Sequence, residues 1–153
     1  MILKKIQTAV VVALLSFFIL PLNTYAAGEK IKVVSYNIQG GCSAPMDEGT
    51  YNIDKTIQVL KNAQADVILL QEVQSGSSKK GTCSAKFNKN QAQQIGEALG
   101  MEYKLNGTVA ILSKYKIKSS SPGTFKSQKA GGSRKYLRAV LELPTKVFVY
   151  VYN

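Results

Sequence analysis

Two polar side chains stand where apolar, strand-like segments of the sequence stop. Residues 31–38 are rich in β-branched and aromatic residues and carry Asn37 near their end, and residues 65–73 carry Glu72 in the same position. An amide oxygen and a carboxylate are hard ligands of the kind that Mg²⁺ or Mn²⁺ prefers, so the pair predicts a divalent-metal site. The alternative is that Asn37 caps a turn and Glu72 begins a loop.

Parallel pairing of these two segments would bring the side chains together. Residues 52–63 lie between them and repeat Ile53, Ile57 and Leu60 at helical spacing, which predicts a helix that joins two parallel strands. The carboxyl ends of parallel strands meet at one edge of a sheet, where α/β folds build their sites. We therefore expect Asn37 and Glu72 at the same edge.

The rest of the chain completes the prediction of an α/β fold with a mixed sheet. It comprises a polar loop over 75–86, a helix over 88–99, a hairpin over 102–113 that turns at Asn106-Gly107, a polar loop over 118–133, and strands over 136–143 and 146–152. The last apolar strand is still running at Asn153. We therefore expect this chain to be the first part of a longer domain.

The first 26 residues match a secretory signal peptide. Lys4 and Lys5 supply a positive start, residues 6–22 form an apolar run, and Ala26 offers a small-residue cleavage position. Cleavage there would leave residues 27–153 as a secreted or periplasmic chain with no stable membrane span. The alternative is an uncleaved anchor, but a run of about 17 residues is short for a span of roughly 20.

The charge balance is strongly basic. Removal of residues 1–26 takes two of the 20 basic residues and none of the nine acidic ones, so the net charge falls from +11 to about +9. Such an exported chain is expected to contact polyanions, such as nucleic acid or anionic lipid headgroups. The alternative is that the charge serves solubility only.

Two cysteines, Cys42 and Cys83, follow the first and second predicted strands. In an exported protein an even number of cysteines predicts a disulfide, which here would tie two loops beside Asn37 and Glu72. The alternatives are two free thiols or a catalytic cysteine. The catalytic role is disfavoured because the sequence has no histidine to act as its base.

The polar strand ends belong to longer motifs. VSYNIQGG at 34–41 and ADVILLQEV at 65–73 resemble the endonuclease/exonuclease/phosphatase family, the DNase I-like phosphodiesterases. Residues 91–101, GTVAILSK at 107–114, RAVLEL at 138–143 and the strand that leads to Asn153 follow the order of the family's later segments. The resemblance implies a DNase I-like layered α/β sandwich, truncated here to about its first sheet and two helices.

The same resemblance implies roles for individual residues. Glu72 would be the metal-binding carboxylate, and Asn37 would assist at the metal and the phosphate. Arg134 or Arg138 would contact phosphate; Arg134 is preferred because it precedes the strand, and its alternative is a solvated loop charge. The implied activity is Mg²⁺- or Mn²⁺-dependent hydrolysis of a phosphoester, in which the ion neutralises developing charge while water attacks in line.

Such hydrolysis also needs a histidine paired with an acid, and an Asp-x-Asn pair, which the family supplies from its second half. The sequence contains no histidine. We therefore expect the catalytic set of this chain to be incomplete. We also expect the inner face of its sheet to lack a packing partner, so that residues 27–153 alone would aggregate or stay molten.

Several functions remain open at this point. The enzyme could be a nuclease acting on DNA or RNA, a sphingomyelinase-like phospholipid phosphodiesterase, or a hydrolase of soluble phosphoesters. The chain could instead be a non-catalytic exported protein that binds polyanions, or an inactive partial gene product.

Overall fold

The structure is a computed structural model that describes residues 28–42, 50–80, 83–126 and 133–153. The predicted signal peptide over residues 1–26 lies outside the described residues, so its cleavage stays a prediction. Residues 31–153 form one compact unit, and everything below concerns that unit.

Within those ranges the chain forms two helices and three groups of strands. The helices are α1 (Ile53–Ala63) and α2 (Gln91–Leu99). The first sheet has the order β1 (Val33–Asn37), β2 (Val67–Gln71), β6 (Val109–Ser113), β5 (Glu102–Asn106). The second has the order β7 (Lys116–Phe125), β8 (Arg134–Glu142), β9 (Phe148–Tyr152), and β3 (Ser77–Lys80) pairs with β4 (Cys83–Lys86) as a separate hairpin.

The two helices cover one face of the first sheet. Each begins at an asparagine whose side chain accepts a backbone N–H of the first turn: Asn52 from Lys55 and Asn90 from Gln93. Their apolar faces pack on the sheet in one core, which includes Leu60, Ile68, Leu70, Ile95 and Leu112. The predicted layered α/β fold with a mixed sheet and two helices is confirmed.

The second sheet covers the other face. Leu137, Ala139 and Leu141 of β8 are fully buried, and they pack with Val67 and Ile111 of the first sheet. The expectation that this face would lack a partner is therefore wrong. The chain has apolar cores on both sides of its first sheet, which removes the reason given for a molten state.

Three strands lie where polar loops were predicted. β3 and β4 form a hairpin inside residues 75–86, and β7 occupies the first part of residues 118–133. β7 is an edge strand made mostly of polar residues, with Ile117 its one buried position, and it contains Pro122, which edge strands tolerate. The sequence did not predict β7 as a strand because its residues are mostly polar. Pairing with β8, rather than apolar content of its own, stabilises β7.

The outer face of β9 carries a row of aromatic side chains. Phe148, Tyr150 and Tyr152 are more than half exposed, whereas Val149 and Val151 between them are partly buried.

Neither helix of the described ranges is long and apolar enough to cross a membrane.

Candidate functional site

Parallel pairing of β1 and β2 brings the two predicted site residues into contact. The register places Asn37 opposite Gln71, one residue before Glu72. The Asn37 side-chain Nδ2 donates a hydrogen bond to Glu72 Oε1 at 2.9 Å. The amide and the carboxylate therefore meet at the carboxyl edge of these strands, as their positions in the sequence predicted.

The turn after β1 is fixed by its own hydrogen bonds and by the end of β2. Asn37 Oδ1 accepts the Gln39 backbone N–H at 2.9 Å, and the Gly40 N–H donates to the Glu72 carbonyl at 3.1 Å. Gln39, Gly40 and Gly41 all have positive φ. A Cβ at Gly41 would lie 2.8 Å from the Tyr51 ring, so this position requires glycine.

Glu72 also has a left-handed backbone, with φ of 57°. This conformation is uncommon outside glycine, and it ends β2 at the point where the carboxylate turns to Asn37. The next residue, Val73, is buried, and its N–H donates to the Thr108 carbonyl at 2.9 Å. The backbone is thus held on both sides of Glu72.

The donor set partly fits a hard divalent cation. Mg²⁺ keeps several water ligands and is usually bound through one or two carboxylates, so Glu72 supported by Asn37 matches its needs. No cluster of three or more His, Cys, Asp or Glu side chains occurs among the residues that the structure describes. In this arrangement Asn37 presents its nitrogen to Glu72, so it orients the carboxylate. Direct ligation by its oxygen stays a prediction.

A cavity of about 290 Å³ opens beside Asn37. Its wall includes Gln39 from the turn after β1, and Asn52, Lys55 and Thr56 from the start of α1. Amide, hydroxyl and ammonium groups at a helix start suit an anionic group. The sequence did not single out Lys55, since one lysine on a helix carries no distinguishing signal.

The predicted arginines both lie on β8. Arg134 is exposed at the start of the strand, and Arg138 donates to Ser121 Oγ at 3.1 Å. Along β8, Arg134 and Arg138 lie on the face opposite to the buried Leu137. Lys135 lies on the same face of β8 as Leu137, and its side chain packs against Gly107. Gly107 precedes Thr108, whose carbonyl accepts the Val73 backbone N–H. Phosphate contact by Arg134 stays a prediction.

Lys114 lies at the other end of the first sheet. Its ammonium is 3.2 Å from Asp66 Oδ1, and the Lys32 backbone N–H donates to Asp66 Oδ2 at 2.9 Å. The Lys32 hydrogen bond, and then Lys114, hold the pKa of Asp66 below its usual value. This lysine therefore serves an ion pair remote from Glu72.

A disulfide joins Cys42 and Cys83, with their Cα atoms 6.1 Å apart. Both residues are buried, and because they are bonded to each other neither is a free thiol in the structure. The bond ties the turn after β1 to the start of β4. The predicted staple beside the Asn37–Glu72 edge is thus present in the structure.

Asn153 connects the two sheets at this same edge. Its Nδ2 donates to the carbonyls of Leu70 and Ala110, each at 2.8 Å, and its Oδ1 accepts from Gln71 Nε2 at 2.7 Å. The end of β9 is therefore anchored one residue away from Glu72.

The comparisons with known proteins agree with this fold. Residues 34–149 match the model of the "Endonuclease/Exonuclease/phosphatase family". No curated protein matches the sequence. One similar structure, an endonuclease/exonuclease/phosphatase family protein from Leptotrichia buccalis C-1013-b, is 20% identical with a TM-score of 0.54 over 81% of this chain and 53% of that one. Another, an endonuclease/exonuclease/phosphatase from Beutenbergia cavernae DSM 12333, is 15% identical with a TM-score of 0.60 over 80% of this chain and 37% of that one.

These likenesses bear on the fold alone, because both identities are low. This chain spans about half of the first structure and little more than a third of the second.

Proposed function

The chain belongs to the endonuclease/exonuclease/phosphatase family, and from that premise we propose that it functions as an exported protein in the divalent-metal-dependent hydrolysis of phosphoesters. One observation carries the assignment of the site. The Asn37 amide and the Glu72 carboxylate, 35 positions apart in sequence, meet at 2.9 Å on the carboxyl edge of two parallel strands.

The residues at this edge have separate tasks in the proposed reaction. A Mg²⁺ or Mn²⁺ ion held by Glu72 would supply positive charge that stabilises the phosphoryl oxygens as their charge develops. Asn37 fixes the orientation of the Glu72 carboxylate by its hydrogen bond. Lys55 and Asn52, in the wall of the adjoining cavity, would bind a neighbouring anionic group of the substrate.

Proton transfer needs groups that this sequence lacks. The resemblance to the family implies a histidine–acid pair, and the sequence has no histidine. We therefore assign to these 153 residues the metal and phosphate contacts only, and expect no measurable hydrolysis by this chain alone.

The substrate we favour is nucleic acid. The net charge of about +9 that remains without residues 1–26 would attract polyanions in general, and a second anion contact at Lys55 would suit a substrate with a further phosphate beside the scissile one. A substrate with a single phosphate group, such as sphingomyelin, would leave the contact at Lys55 unused.

A Mn²⁺ titration followed by NMR tests the metal site. We expect paramagnetic broadening of backbone amide signals around Asn37 and Glu72 in the 153-residue chain, and its loss in Glu72→Gln. Glu97→Gln is the matched control, because Glu97 is an exposed carboxylate on α2 that pairs with Lys89. Equal broadening in Glu72→Gln and the unaltered chain would overturn the proposed site.

The strongest competing function is non-catalytic binding of polyanions, which the basic balance also supports. Fluorescence anisotropy of a labelled oligonucleotide separates the two. The proposed enzyme site predicts that EDTA weakens binding and that Mg²⁺ restores it, with the restoration absent in Glu72→Gln. Tight binding that ignores both treatments would favour the binding protein.

A further inference from the structure

Gln91, the first residue of α2, is a polar residue with no exposed surface. Its side-chain Oε1 accepts the Gln74 backbone N–H at 2.9 Å, and its Nε2 donates to the Gly40 carbonyl at 2.6 Å. Its own backbone N–H donates to the Gln74 carbonyl at 3.1 Å. One buried amide therefore holds two backbone segments that are 34 positions apart in the sequence.

These two segments are the ones that follow the site residues. Gly40 lies three residues after Asn37, and Gln74 lies two residues after Glu72. The bonds of Gln91 therefore add to the Ile38–Gln71 and Gly40–Glu72 backbone hydrogen bonds that join the two segments beside the Asn37–Glu72 contact. The side-chain hydrogen bonds of Gln91 thus go to the backbone of the segments that follow the two site residues.

The backbone in both segments is of a kind that needs outside support. Gln39 and Glu72 are non-glycine residues with positive φ, and Gly40 and Gly41 extend the left-handed run. Such conformations persist where the surrounding structure over-determines them. Burying a polar group without hydrogen-bond partners costs free energy. The buried Gln91 amide therefore needs its bonds to the two loops as much as the loops need Gln91.

We propose that Gln91 is a positioning residue for the Asn37–Glu72 pair, acting by fixing the distance between the turn after β1 and the loop after β2. Its effect on metal affinity rests on the proposed function, whereas its effect on the geometry of the pair does not. Sequence patterns give no sign of it, because a glutamine at the start of a helix is ordinary.

The test compares two buried positions on the same helix. Gln91→Met keeps the size of the side chain and removes its two side-chain hydrogen bonds to the loops, while the backbone bond to Gln74 remains. Ile95→Ala is the matched control, because Ile95 is also fully buried on α2 and belongs to the helix–sheet core rather than to either loop. Both variants are expected to lower the melting temperature.

Two readouts separate positioning from general stability in the 153-residue chain. The first is the NMR cross-relaxation signal between the Asn37 side-chain amide protons and the Glu72 γ protons, which requires no metal. The second is the Mn²⁺ affinity at Glu72. Loss of a group that orients a metal ligand typically weakens metal affinity by about 10-fold to 100-fold. We expect Gln91→Met to lose the cross-relaxation signal and to bind Mn²⁺ at least tenfold more weakly, while Ile95→Ala retains both.

Equal behaviour of the two variants at matched stability would overturn the proposal, because Gln91 would then act only as a core residue. If the unaltered chain binds no Mn²⁺ at Glu72, the proposed function fails, and the cross-relaxation readout alone decides the role of Gln91. If Gln91→Met does not fold, Gln91→Asn takes its place, since its shorter amide cannot reach both Gly40 and Gln74. Retention of the signal in that variant would also refute positioning.

Discussion

Removal of the Cys42–Cys83 disulfide should destabilise the fold mainly by enlarging the unfolded ensemble. The two cysteines are 41 positions apart. The chain-entropy relation for a closed loop of that length gives a stabilisation of about 4 kcal/mol at 25 °C. Domains of this size have a free energy of unfolding of about 5–15 kcal/mol, so the bond represents a large fraction of the total.

Urea unfolding of the Cys42→Ala/Cys83→Ala double variant measures this loss. With a urea dependence of about 1–3 kcal/mol per molar, a loss of this size lowers the unfolding midpoint by roughly 2 M. The melting temperature should fall by roughly 15 °C. Both cysteines are buried, so part of any excess loss would reflect the packing of the two sulfur atoms.

Reductant provides the internal control. It should lower the midpoint of the unaltered chain by the loop-entropy part of the loss and should leave the double variant unchanged. A midpoint that moves by less than about 0.5 M on reduction would refute the loop-entropy explanation, since strain or residual structure would then cancel the gain.

Three other predictions concern charge and surface. Because the folded pKa of Asp66 lies below its usual 3.8, its stabilisation is present above that value and is lost as the pH falls through the folded pKa. Melting temperatures should therefore fall more between about pH 5 and pH 3 in the unaltered chain than in Asp66→Asn, and parallel curves would contradict this. Tyr150→Lys should leave the free energy of unfolding in urea titrations within about 0.5 kcal/mol of the unaltered chain, because Tyr150 is 62% exposed; a larger loss would show that its ring contributes to packing. Lys55→Gln should reduce the salt dependence of oligonucleotide binding by about one unit of slope, whereas Lys61→Gln, near the other end of α1, should not; equal slopes would exclude Lys55 from the anion contact.

The Asn37–Glu72 contact was predictable because it follows from local rules. Two apolar strands joined by a helix must run parallel when they pair in one sheet, and that alone places their polar ends together. The pairing of Cys42 with Cys83 was predictable for the same reason, since both cysteines follow those strands.

What sequence reasoning missed depends on partners distant along the chain. β7 has few apolar residues and becomes a strand because β8 pairs with it over almost its whole length. The inner face of the first sheet is likewise covered by a distant partner, because residues of β8 pack against it. Gln91 is an unremarkable polar residue until the fold removes it from solvent and brings Gly40 and Gln74 to its amide. Burial of a polar group is a tertiary property, which no local pattern encodes.

The anchoring of Asn153 bears on which side of β9 faces inward. A shift of one residue in the pairing of β9 with β8 would exchange its two faces, and would turn the aromatic row inward and the valines to solvent. Both sets are apolar, so hydrophobicity alone discriminates poorly between the two registers. Asn153 bonds the Leu70 and Ala110 carbonyls of the other sheet in the observed register. The hydrogen bonds of this single side-chain amide thereby favour one register of β9, which the apolar side chains of the strand do not distinguish from the shifted one.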